Sequence, residues 1–257
     1  MTSITHRLVP FLALGLIAGA SATAANAATN LVVNGGFETW GLAGSDEFST
    51  AYALGNGQLL GWRTTGLAFV FVPGDPTAIG RYNGFQLYGP SNGYNNGLTI
   101  SAQGGNYVAS DADRGFGAPI TQLISGLEIG KTYDVSFEWA AAQQLNFNGA
   151  TFESWQVSLL DSRNVVTTDF RTATVSNPQA GFQAWRTETF SFVATEAAQT
   201  LRFWADGGPG GVPPFALLDS VSIVAAPVPE PASWVMLVAG FGLVGVAARR
   251  RARVTAA

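Results

Sequence analysis

The sequence predicts an all-β protein, and three observations carry that expectation. Glycine is abundant, 31 of 257 residues, and clusters with Asn, Asp and Pro between short segments. Those segments alternate apolar and polar residues, which is the period of a strand with one buried face. Between residues 28 and 226 no stretch sustains a helical period.

The elements follow in chain order. Asn30 to Glu38 reads as a short strand and a tight turn, Leu60-Gly61-Trp62-Arg63 and Leu67 to Val72 as two more strands. A long loop from Gly74 to Gly97 sets Tyr82, Tyr88 and Tyr94 among Asn and Gly, and loops of that length are usually functional or mobile. Gly104 to Ala109 and Ile120 to Ile124 give further strands. The clearest alternation follows, with Tyr133, Val135, Phe137 and Trp139 on one face and Asp134, Ser136 and Glu138 on the other. Trp155-Val157-Leu159, Trp185 to Phe192 and Leu201-Phe203 repeat the one-sided pattern, and Ala216 to Val224 is the last strand.

Both ends of the chain differ from this body. His6-Arg7 precedes an apolar run from Leu8 to Ala20 and then small residues, so residues 1–27 read as a signal peptide with Ala25-Asn26-Ala27 as the expected cleavage site. At the other end Pro229-Glu230-Pro231 is held extended, because each proline fixes its own φ and biases its predecessor away from helix. An uncharged run over 234–248 follows, then four arginines within 249–253. As a helix that run rises about 22 Å, somewhat short of a ~30 Å hydrocarbon core, so tilt or thinning is needed. The arginines resist translocation, which places them in the cytoplasm, with Trp234 at the outer interface.

Pro229, Glu230, Pro231 and Trp234, the short span and the basic end resemble the PEP-CTERM sorting signal of bacterial envelope proteins, with Val235 where Ala is usual. Together with the signal peptide this divides the chain into three regions: signal peptide 1–27, β domain 28–226 and sorting signal 227–257. The resemblance implies anchoring in the inner membrane, cleavage by an exosortase-type enzyme, and release to the envelope or the extracellular matrix, often alongside exopolysaccharide. The alternative is an ordinary membrane anchor.

Composition excludes several functions. The chain has no cysteine, and its one histidine, His6, lies in the expected signal peptide. The body therefore has no thiol or imidazole for nucleophilic catalysis or for zinc and copper. Setting aside Arg7, the four tail arginines and Glu230, the body carries 8 Lys and Arg against 16 Asp and Glu, a poor match to nucleic acid phosphates. An enzyme here would rest on a carboxylate pair such as Glu138 with Glu153 or Asp134, and nothing in their spacing distinguishes them from surface charges.

Asn30 to Glu38, Gly61-Trp62, Ile124 to Trp139 and Leu217 to Ile223 resemble, in that order, jelly-roll domains of the carbohydrate-binding-module type. That implies a galactose-binding-like β-sandwich whose first and last strands are neighbours, and non-catalytic binding of a polysaccharide or cell-wall glycan. Trp204, out of phase with Leu201 and Phe203 and in phase with Arg202, is a candidate sugar platform, as are Tyr82, Tyr88 and Tyr94. Asp219 falls in phase with Leu217, Val221 and Ile223, the expected core face, where a carboxylate requires a partner. Matching positions in the resembled modules often hold structural calcium, which here would use Glu38 and Asp219; backbone N–H groups or an arginine would serve instead. The competing functional class is a structural matrix protein working by protein–protein contact. More distant is ice binding, which tails of this kind accompany in some proteins, although no regular Thr-x-Thr ladder is present.

Overall fold

The computed structural model describes residues 29–39, 59–71, 81–82, 85–227, 236–245 and 249. The expected signal peptide and sorting residues Pro229, Glu230, Pro231 and Trp234 lie outside these, as does the side chain of Tyr82.

Twelve strands run in chain order: β1 (Ala68–Phe71), β2 (Arg81–Tyr82), β3 (Phe85–Gln86), β4 (Tyr107–Asp111), β5 (Ile120–Ser125), β6 (Thr132–Gln143), β7 (Thr151–Leu160), β8 (Val166–Arg171), β9 (Val175–Asn177), β10 (Gln183–Val193), β11 (Ala198–Gly208) and β12 (Pro214–Ala225). One sheet has the order β1-β4-β12-β6-β10 and the other β5-β11-β7-β8, with β9 added beside β7. From β4 to β7, and again from β9 to β12, the chain alternates between the two sheets, the connectivity of a jelly-roll sandwich.

The core lies between the sheets because the alternation aims one side of each strand inward. Phe137 from β6 meets Phe203 from β11 edge to face at 5.1 Å, and Trp155 from β7 meets the same ring at 5.9 Å. At the open side Phe170 of β8 stacks on Phe190 of β10 at 4.8 Å, closing the gap between two edge strands. A second apolar layer forms behind β1, β4 and β12, where Phe71 stacks on Tyr107 and Trp185 meets Tyr107 edge-on. The chain between β3 and β4 covers that layer, and Thr99 O accepts from Trp185 Nε1 at 2.9 Å.

The first and last segments are neighbours. Leu31 N donates to Ile223 O at 2.9 Å and Val221 N to Gly35 O at 3.0 Å, so residues 31–35 run beside the last half of β12 without forming a regular strand. Gly35 is required there, since a Cβ would fall 1.9 Å from Val221 O. Residues 59–63 likewise hold only isolated bridges, not the expected strand. The long loop contains the hairpin β2–β3 and a 3-10 turn over Pro90–Asn92.

A bulge in β12 changes the faces read from sequence. On β12 the register with β6 slips by one residue between Asp219 and Ser222, and Ser220 takes φ 54°. Leu217 and Asp219 therefore lie on the face turned away from the other sheet, still buried, beside Ala140 and Glu138, whereas Val221 and Ile223 face the space between the sheets. Unbroken alternation had placed all four together; the inserted residue reverses the parity. On β10 Trp185 is out of phase with Phe190 and Phe192, so it faces the second apolar layer while they face the core.

Beyond the body, a helix occupies residues 236–245, inside the expected span. Among the described residues no helix is long and apolar enough to cross a membrane.

Candidate functional site

The outer face of the β5-β11-β7-β8 sheet gathers a polar lattice around Trp204. Arg202 and Trp204 do share the outward side of β11, as their phase predicts, because Leu201 and Phe203 fill the core. Register then fixes their neighbours, since residues directly opposite in adjacent strands share a face. One row runs Arg63, Thr121, Arg202, Ser158, Asp169; the next runs Trp204, Gln156, Arg171; a third pairs Asp206 with Ser154.

Hydrogen bonds tie this face together. Arg202 Nη2 donates to Ser158 Oγ at 3.1 Å, and Ser158 Oγ donates to Asp169 Oδ1 at 2.6 Å. Gln156 Nε2 also donates to Asp169, while Gln156 Oε1 accepts from Arg114 Nη2 at 3.0 Å. Asp206 joins Arg114, at 3.0 Å from its Nε, to Arg171. Two buried donors, Arg202 Nε and Trp204 Nε1, have no hydrogen-bond partner among the described residues.

Trp204 is not a bare platform. Arg114, from the loop between β4 and β5, holds its guanidinium 4.2 Å from the indole centroid. Sequence reasoning missed Arg114 because a loop residue carries no periodic signal. Gln156 and Asp206 were legible in principle, as outward positions on strands with apolar inward residues, whereas Asp169 and Arg171 lie on the weakly patterned strand β8.

The predicted tyrosines lie elsewhere. Tyr88 is buried at 3% exposure, and its hydroxyl donates to Phe147 O at 2.9 Å, so it is a structural residue. Tyr94 is 42% exposed and packs edge-on against Tyr88 at 4.5 Å. The amide of Asn92 folds the loop instead of facing a ligand, with Nδ2 donating to Leu87 O and Oδ1 accepting from Gly89 N.

Glu38 and Asp219 come together on the opposite sheet. The Cβ that Gly36 lacks would lie 3.8 Å from Glu38 Cγ and 3.9 Å from Asp219 Oδ1, so the two side chains flank one glycine. Glu38 Oε1 accepts from Asn106 N at 2.6 Å, and Gly105 leaves room for it, since a Cβ there would lie 1.8 Å from that oxygen. Asp219 Oδ1 accepts from Ser220 N at 2.6 Å, and Oδ2 accepts from the Ser101 hydroxyl. Burial pushes the Asp219 carboxyl up to about 7, opposed by its Ser101 and Ser220 hydrogen bonds and reinforced by the charges of Glu138 and Glu38. Asp219 thus meets the hydrogen-bonded alternative, while its repulsion from two further carboxylates is what an oxygen-coordinated cation would relieve. No group of three or more His, Cys, Asp or Glu suited to a metal occurs among the described residues, so a cation here would also draw on hydroxyl and backbone oxygens. Beside this pair an open cleft of about 460 Å³ is lined by Gly35, Gly36, Ser136, Glu138, Ser220 and Ser222, among others.

The carboxylates considered for catalysis are not assembled as pairs. Glu138 faces outward on β6, and Glu153 is fully buried on the inward side of β7. Asp134 and Glu138 share a face four residues apart, roughly 13 Å along an extended strand, beyond the ~5–9.5 Å that glycoside hydrolysis uses.

A search of curated proteins returns no match. Among solved structures the chain is similar to the enzymatically active domain of bacteriophage CBA120 tailspike protein 4, at 14% identity and TM-score 0.38, covering 77% of this chain and 21% of that one. It is similar to a CBM4 structure at 18% identity and TM-score 0.38, covering 76% of this chain and 99% of that one. It is also similar to the CBM22-1 xylan-binding domain of Xyn10C from Paenibacillus barcinonensis, at 11% identity and TM-score 0.39, covering 80% and 100%. The tail matches a known family model, and residues 227–251 are a PEP-CTERM protein-sorting motif.

Proposed function

We propose that this is an exported protein, held in the inner membrane by its tail, cleaved there by an exosortase-type enzyme and passed to the envelope or extracellular matrix. Its body binds a polysaccharide without cleaving it. The observation that supports this reading is the face around Trp204, where Arg, Gln, Asp and Ser side chains converge on an indole in a sheet otherwise devoted to packing. Such a set of fixed donors and acceptors suits the hydroxyls of a glycan. The separation of Glu138, Glu153 and Asp134 supports binding without hydrolysis.

One observation favours the competing class, a matrix protein without a sugar site: Arg114 already covers one side of the indole. Glycan-array binding by the detergent-solubilised full chain separates the two. The polysaccharide reading expects binding that falls about tenfold or more in Trp204→Ala, the scale of a contact worth more than 1 kcal/mol. An array with no bound glycan assigns the structural role.

The second part of the proposal is a structural calcium ion held by Glu38 and Asp219. Bound there, calcium would supply positive charge between carboxylates that otherwise repel, and would clamp the turn over Asn34 to Glu38 to β12.

A further inference from the structure

We propose that the Trp204 face takes an anionic polysaccharide, one carrying uronate or sulfate groups; this rests on the glycan-binding reading above and narrows it to a ligand class. The body is acidic, with twice as many Asp and Glu as Lys and Arg, yet four of its eight basic residues reach this one face. Arg63, Arg202 and Arg171 arrive through strand register, and Arg114 through its stack on Trp204. Only Asp169 and Asp206 oppose them within these rows.

The hydrogen bonds leave positive charge unspent. Asp206 lies between Arg114 and Arg171, so one carboxylate serves two guanidinium groups. Asp169 is held by the neutral donors Gln156 and Ser158, and Arg202 by the neutral Ser158 hydroxyl. Asp113, in the same loop as Arg114, has one carboxylate oxygen bonded to Gly115 N and the other close to Gly210. The guanidinium N–H groups of the face can only donate, so a ligand that meets them must present acceptors. A carboxylate or sulfate offers several acceptor oxygens together with the charge that arginines recognise.

Arg63 and Arg202 are separated by one intervening strand, as are Arg202 and Arg171, which sets neighbouring cations about 10 Å apart across the sheet. That array extends along the hydrogen-bonding direction, so a linear polymer with repeated charges can meet several arginines at once. A neutral glycan can accept hydrogen bonds from these arginines but brings no opposite charge to offset their desolvation, so an anionic chain gains more from the arrangement.

The test is titration of the detergent-solubilised full chain with polygalacturonate and chondroitin sulfate, and with neutral xylan and galactan, at about 50 mM and about 0.5 M NaCl. The proposal expects at least one anionic polymer to bind about tenfold or more tighter than either neutral one, and to weaken about tenfold at the higher salt. Arg202→Gln and Arg63→Gln should each weaken that binding about fivefold, and Arg202→Lys, which keeps the charge, by less. Arg163→Gln, in the turn after β7 and bonded to Asp161, should leave it unchanged. Equal, salt-insensitive binding of neutral and anionic polymers would overturn the anionic assignment and leave polysaccharide binding in place. Failure to bind any of the four would overturn both.

Discussion

Glu153 is the residue whose environment is hardest to reconcile with its charge. It is fully buried on the inward side of β7, and neither carboxylate oxygen has a well-formed hydrogen bond. Burial pushes its carboxyl up to about 8, with the Thr151 hydroxyl pulling weakly the other way. The folded protein therefore keeps this proton where the unfolded chain, near 4.5, has lost it. The contribution is fully present below about pH 4.5 and is lost as pH rises towards 8, so stability falls across that window. Glu153→Gln should flatten this part of the profile, by on the order of a few kcal/mol between the two ends. Thermal melts of both proteins at pH 5 and 8.5 check it, and parallel pH profiles would show that Glu153 does not titrate in this range.

At the scale of elements, the bulge in β12 decides what Asp219 is for. By taking up one extra residue at Ser220, the strand keeps Val221 and Ile223 between the sheets while Asp219 lies buried on the other face beside Glu138, towards Glu38. With its carboxyl raised to about 7, Asp219 loses stabilisation as pH rises from about 4 to about 7, and calcium, which binds the ionised form, should reverse that loss. Calcium at about 100 times its Kd would add about 2.7 kcal/mol. A domain of this size would then melt roughly 5–10 °C higher, with a larger rise at pH 8 than at pH 5. The rise should vanish in Asp219→Asn. A melting temperature indifferent to both calcium and chelator would leave Asp219 with its two hydrogen bonds as its whole role.

The same bulge marks the limit of what was legible in the sequence. The inward faces of β6, β7 and β11 could be read directly, because burial on one side imposes a strict period of two. A bulge breaks that period without any residue type announcing it, so unbroken alternation puts Asp219 on the face of Val221 and Ile223. Strands β8 and β9 went unread because β8 is a half-exposed edge with a weak apolar pattern and β9 has three residues. Of the candidate site, Arg202 and Trp204 followed from phase, whereas Arg114 depends on a loop packing across the sheet.

At the scale of the molecule, two candidate faces lie back to back on one core. The β5-β11-β7-β8 sheet offers the basic lattice around Trp204, and the other sheet offers the carboxylates and cleft beside Asp219. The PEP-CTERM motif over 227–251 follows β12 almost at once, so the sandwich is joined by a short connection to the segment that sorts it. A glycan-binding body makes physical sense only where extracellular polymer is present, and every proposal for its faces depends on delivery there. The most direct measurement is therefore intact-mass analysis of the protein recovered from fractionated native cells and medium. The account predicts an envelope or extracellular species that lacks both residues 1–27 and the arginines of 249–253. A full-length product confined to the cytosol would contradict it.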